Sequence, residues 1–138
     1  MKGVTTQECG IFVCEEHPFL GSSPDRIVNE ELIVEVKCPY RSNDQETVPY
    51  LIQHHNGLIL NQDHNYYYQV QGQMLCTGSK SCDFFVYTTT DIMIIPVTRD
   101  PLMIKSMIFK LMKFYKDHSR QAVLDHYLYK KTDKYCLQ

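Results

Sequence analysis

The sequence predicts an α/β fold, a mixed central β-sheet flanked by helices. Three observations point to it. Short β-branched segments fill the first part of the chain, the clearest being Leu32-Ile33-Val34-Glu35-Val36-Lys37. A helix-length segment follows, Asn65 to Cys76, and stops at Thr77-Gly78. Two more strand-like segments then precede a long helical stripe that opens at Asp100-Pro101.

Taken in order, Gly10 to Cys14 reads as a strand, Phe19 to Pro24 as a loop with a glycine turn, and Asp25 to Val28 as a second strand. Asn29-Glu30-Glu31 turns the chain into the third, Leu32 to Lys37, whose short apolar run suits a buried strand. Pro39 stops it, because proline cannot donate to a ladder. Residues 40 to 63 read as polar and irregular, with apolar pieces at Tyr50-Leu51-Ile52 and Leu58-Ile59-Leu60. That stretch either shapes a substrate channel or serves as a connector. The next helix ends on Gly78, a residue suited to the left-handed terminator. Phe84 to Thr88 and Met93 to Val97 are strands, and Asp100 caps a helix with Pro101 in its first position, running to about His118. Leu102, Met103, Met107, Ile108, Leu111, Met112 and Tyr115 recur at three- and four-residue intervals, which predicts a core-facing stripe. A last helix spans about Ser119 to Lys130. No repeat or low-complexity linker interrupts this order, so residues 1–138 are expected to form a single domain.

At 138 residues, with 43% hydrophobic content and ten Tyr, the chain can bury a real core. No apolar run approaches the roughly 20 residues that span a bilayer, and no signal-peptide pattern opens the chain. A soluble intracellular protein without membrane partners is expected. The net charge of −2 argues against a broadly basic surface. Phosphate contact would have to be local, with Arg26, Lys37, Arg41, Lys80 and His64 as candidates. Lys130, Lys131 and Lys134 form a basic tail that either touches phosphate or complements a helix C-terminus. The six cysteines lack a Cys-x-x-Cys pair, against zinc and against a disulfide framework; Cys14, Cys76 and Cys82 are expected as small core residues. His54 and His55 read as loop residues.

The chemistry concentrates in Ser23-Pro24-Asp25 and Glu35-Val36-Lys37. Side chains two apart on a strand share a face, so Glu35 and Lys37 project together. Charges in an apolar strand are costly to desolvate without partners, and a divalent cation with a scissile phosphate would supply them. Asp25 and Glu35 offer the hard oxygens that Mg²⁺ prefers, and the Val36 backbone carbonyl adds another. A divalent cation acidifies coordinated water and polarises phosphoryl oxygens. Lys37 would orient or deprotonate that water, or stabilise charge building on phosphorus. Further on, Tyr66, Gln69 and Gln73 share one helical face while Val70, Met74 and Thr77 share another. A glutamine there can bond phosphate or water without adding negative charge.

Together these segments resemble the YqaJ-type viral recombinase and lambda-type alkaline exonuclease family of the PD-(D/E)XK nuclease superfamily. The matching stretches are Phe19-Leu20-Gly21-Ser22-Ser23-Pro24-Asp25, Leu32 to Pro39, Tyr67-Tyr68-Gln69-Val70-Gln71-Gly72-Gln73-Met74, and Cys82-Asp83-Phe84-Phe85-Val86-Tyr87. The resemblance implies a restriction-endonuclease-like core, with Asp25 and Glu35 as metal ligands, Lys37 as the catalytic lysine and Gln69 as the helix glutamine. It implies Mg²⁺, with Mn²⁺ as substitute, and DNA as partner. Ser23 falls in the substrate-side loop; Arg26, Arg41, Tyr66 and Gln73 are further candidates for substrate contact. The family's upstream helical region, with a Gly-Thr-x-x-Glu stretch whose acid joins the site, has no match among the twenty-four residues before Asp25. The chain is therefore expected to lack that region.

Three functions stay open on the sequence. The first is a metal-dependent exonuclease on linear duplex DNA, in recombination or repair. The second is a catalytically impaired DNA-binding or interaction remnant of one, and the third an endonuclease on the same fold. Digestion polarity and homo-oligomer formation are equally open.

Overall fold

Strand pairing in this computed structural model explains the sheet better than hydrophobic pattern alone. Residues 5–29, 31–39, 49–89 and 91–135 are described, with side chains as far as Leu128. In chain order the strands of the main sheet are β1 (Thr6–Glu8), β4 (Arg26–Val28), β5 (Leu32–Lys37), β8 (Ser81–Tyr87) and β9 (Ile92–Thr98). Two short hairpins lie outside it: β2 (Phe12–Val13) with β3 (Gly21–Ser22), and β6 (Leu51–His54) with β7 (Gly57–Leu60). The sheet order is β1-β4-β5-β8-β9. β4 meets β5 antiparallel, Arg26 opposite Val34 and Val28 opposite Leu32. β5 meets β8 in parallel, Glu35 beside Phe84 and Lys37 beside Val86, and β8 meets β9 antiparallel. One parallel pair among antiparallel ones makes the sheet mixed, as the sequence predicts.

A parallel pair needs a crossover. Here the chain leaves β5, forms the β6–β7 hairpin, and returns through helix α1 (Asn65–Thr77) to β8. His64 caps the start of α1, its Nδ1 accepting from the Tyr66 N–H at 3.2 Å. Gly78, at φ 76°, ends it as expected, its N–H donating to the Met74 carbonyl at 3.1 Å. Val70 and Met74 are fully buried against the sheet residues Ile33, Cys82, Phe84 and Val86. This is the core beneath the site.

Three features depart from the sequence reading. The strand expected over Gly10 to Cys14 contracts to β2, and pairs with β3 inside the expected loop. β1 is exposed at all three positions, so it carries no hydrophobic pattern to read, and it is held by pairing with β4. The stretch read as irregular contains the β6–β7 hairpin, turned by His55-Asn56 into Gly57 at φ 118°.

By internal contacts the chain divides into two compact units, residues 1–101 and 102–138. The second comprises helix α2 (Pro101–Phe114) beyond its first residue, one π-helical turn (Tyr115–Ser119) and helix α3 (Arg120–Tyr135). Within it the Phe114 and His118 rings lie 5.3 Å apart, and Gln121 Nε2 donates to Asp125 Oδ1 at 2.7 Å. The basic tail lies outside the described side chains, and Cys136 outside the described residues. No helix among the described residues is long and apolar enough to cross a membrane.

Candidate functional site

Glu35 occupies a position where a charge is expensive. It projects from β5 onto the apolar face of Ile33, Phe84 and Val86, and is only 4% exposed. Each of its oxygens is held. Oε1 accepts from Lys37 Nζ at 2.6 Å and from Gln69 Nε2 at 2.7 Å. Oε2 accepts from Gln73 Nε2 at 2.7 Å. Gln69 also turns its Oε1 to Lys37, accepting from Nζ at 3.2 Å. An unpaired carboxylate here would cost several kcal/mol; one ammonium and two amides offset it.

Lys37 is fixed from below as well. Its Nζ lies 4.5 Å from the centroid of the Tyr66 ring, a cation–π distance. Tyr66 in turn rests on Tyr50, edge-on at 4.9 Å, and on Phe84 at 5.9 Å. Tyr50 is buried at the base of the β6–β7 hairpin, and burial, with Tyr66 and Cys38 adding, pushes its phenol above the usual range. The sequence reading missed this support. Asn56-Gly57 between two apolar pieces is a hairpin signature, and it would have placed Tyr50 at a hairpin base.

Asp25 enters from the first ladder. Extending the antiparallel register one step beyond Arg26–Val34 sets Asp25 across from Glu35, the arrangement in which facing side chains come closest. Asp25 Oδ2 accepts from the Val36 N–H at 2.7 Å, so the carboxylate lies against the β5 backbone. The N–H and C=O of one strand residue point to the same edge, so the Val36 carbonyl also faces Asp25, past the start of β4. Two carboxylates and a carbonyl are hard oxygen donors, and they fit a cation that takes its other positions from water and phosphate. Among the described residues no group of three or more His, Cys, Asp or Glu gathers that could hold a metal ion.

The remaining predicted residues divide. Tyr66 joins the cluster. Ser23 stays exposed in the loop ahead of buried Pro24. Arg26, expected at the substrate, lies on the Val34 face of β4 by strand alternation, away from Glu35, and pairs with Glu8 at 3.0 Å. Gln73, the other expected substrate contact on α1, is placed deeper. It lies one turn beyond Gln69 and is 2% exposed between helix and sheet, too deep to meet a substrate. Arg41 lies outside the described residues. Of the other basic candidates, Lys80 pairs with Glu31 at 2.7 Å and His64 is spent as the α1 cap. Cys14 and Cys82 are buried as expected, while Cys76 is half-buried. Burial, then the nearby Glu35 carboxylate, pushes the Cys82 thiol up to about 12.

Solved structures that share this fold include an alkaline exonuclease (LHK-Exo) from Laribacter hongkongensis and LHK-Exo in complex with dAMP. Each matches 96% of this chain at 24% identity with a TM-score of 0.69. The chain spans 65% of their length. At that identity the likeness carries the architecture, a PD-(D/E)XK-type mixed sheet with helices. No curated protein matches the sequence. The profile of the YqaJ-like viral recombinase domain matches residues 2–80, more than half of the chain. The chain belongs to the YqaJ-like viral recombinase domain family.

Proposed function

We propose that this protein is a divalent-cation-dependent deoxyribonuclease that hydrolyses phosphodiester bonds from the ends of linear duplex DNA, in recombination or repair. One observation carries the reading: Asp25, Glu35 and the Val36 backbone meet at the β4–β5 ladder, with Lys37 and Gln69 joined to the same Glu35 carboxylate. Relatives add weight, since structures sharing the fold include those of an alkaline exonuclease, one in complex with dAMP.

Asp25, Glu35 and the Val36 carbonyl would hold Mg²⁺, or Mn²⁺ in its place. The cation would supply Lewis-acid activation of water and of the phosphoryl oxygens. Lys37 has three protons to give and directs two of them to Glu35 and Gln69. With DNA bound, its ammonium turns to the phosphate or the attacking water and stabilises negative charge there. Gln69 bridges Lys37 and Glu35 with both ends of its amide, and so keeps acid and ammonium in register.

The test uses end-labelled linear duplex and closed circular DNA with Mg²⁺, Mn²⁺ or EDTA. Expected is metal-dependent loss of linear DNA that disappears in Asp25→Ala, Glu35→Ala and Lys37→Ala. DNA binding without cleavage would leave a non-catalytic relative of the nucleases. Attack on the closed circle would make the protein an endonuclease.

A further inference from the structure

Gln73 is a buried polar side chain at the site that the proposed reaction leaves unused. It is 2% exposed, and its Nε2 donates to Glu35 Oε2 at 2.7 Å. Its other end, Oε1, is buried with no hydrogen-bond partner among the described residues. Burying an amide with one end unmatched is unfavourable, since buried polar groups are normally paired. The orientation is nevertheless forced. Turning the amide over would set its oxygen against a carboxylate oxygen, two acceptors facing each other. The residue therefore tolerates an orphaned carbonyl to keep one N–H on Glu35.

That bond acts on the geometry of the carboxylate. Lys37 and Gln69 both draw on Oε1, from the open side of the site. Among the described residues Gln73 alone holds Oε2, from beneath. Without it, Glu35 could swing about its terminal bond toward Lys37, and the carboxylate that the ladder register sets across from Asp25 would no longer be fixed. We infer that Gln73 is a positioning residue that fixes the Glu35 carboxylate for cation binding, and that it makes no contact with DNA. This rests on the nuclease reading above and adds to it a residue acting from the second layer. Residues that orient ligands in this way typically change metal affinity or activity by about 10- to 100-fold when replaced.

The experiment compares wild type with Gln73→Met, which preserves length and volume while deleting both polar ends. Mn²⁺ affinity is measured by calorimetry, DNA affinity in EDTA by anisotropy, folding by thermal melting, and kcat and KM on linear duplex. The expected result is a cooperatively folded variant with Mn²⁺ binding weakened about 10- to 100-fold. Its DNA affinity and KM stay unchanged, and its lowered kcat recovers as Mn²⁺ is raised. Unaltered Mn²⁺ affinity overturns the inference. So does weakened DNA binding with metal affinity intact, which would make Gln73 a substrate contact. A variant that no longer folds overturns it too, by assigning the residue to packing. If wild type itself neither binds Mn²⁺ nor cuts DNA, the nuclease reading fails and takes this inference with it; a normal wild type beside an indifferent variant sinks the inference alone.

Discussion

Lys37 and Glu35 make one part-buried pair whose disruption costs both stability and chemistry. Deleting the ammonium in Lys37→Met leaves a buried carboxylate with only amide donors. Because Lys37 keeps some access to solvent, the penalty falls below that of a fully buried pair, about 1–3 kcal/mol. Urea unfolding of the cation-free variant should show that loss, while calorimetry shows Mn²⁺ affinity retained and turnover abolished. Thiol chemistry offers a second check. With its thiol held up to about 12, Cys82 stays protonated at pH 8, whereas Cys38 is exposed. Mass spectrometry after brief maleimide treatment of native protein should find Cys38 modified and Cys82 untouched. At this scale the sequence was legible wherever period decided the outcome: spacing of two places Glu35 and Lys37 on one face. Depth was not legible. Gln69 and Gln73 sit four apart on the same helix, yet Gln69 is exposed and Gln73 buried, because the sheet they meet is specified elsewhere in the chain.

Helix α1 is tied to the exit of β9 by side chains that never reach the site. Gln71 is fully buried; its Nε2 donates to the Thr98 carbonyl at 2.9 Å and its Oε1 accepts from the Asp100 N–H at 2.8 Å. Arg99 Nη1 donates to the Met74 carbonyl at 2.8 Å, at the end of the helix. Gln71→Leu would strand two backbone groups at once, at a cost of about 2–4 kcal/mol. A lowered melting temperature by circular dichroism checks it, with unchanged Mn²⁺ affinity in the protein that remains folded. The helix and its glycine stop were readable because both signals are local. The hairpin at Leu51–Leu60 was passed over because its apolar pieces are short, and β1 because an exposed edge strand of three residues has no alternation to detect.

At the scale of the whole molecule, net charge gives a nucleic acid little to attract it. Net charge is −2, and Arg26 and Lys80 are each committed to a glutamate. Few phosphates can then be neutralised, and log affinity for duplex DNA in EDTA should fall with log salt at a slope of only roughly −2 to −4. Anisotropy titrations at several salt concentrations measure it; a slope near −8 would require a basic surface outside the described residues. The fold class was readable because strand and helix segments alternate in a recognisable order. The single parallel pairing was not, since β5 and β8 are joined only after a long excursion of the chain. That excursion has a kinetic consequence. Closing it costs more chain entropy than closing the adjacent β4–β5 turn, and distant pairings are slow to form. Glu35 therefore meets Asp25 early in refolding and its two glutamines late. The capacity to capture a cation should mature in the slowest phase, making ion uptake a clock for completion of the topology.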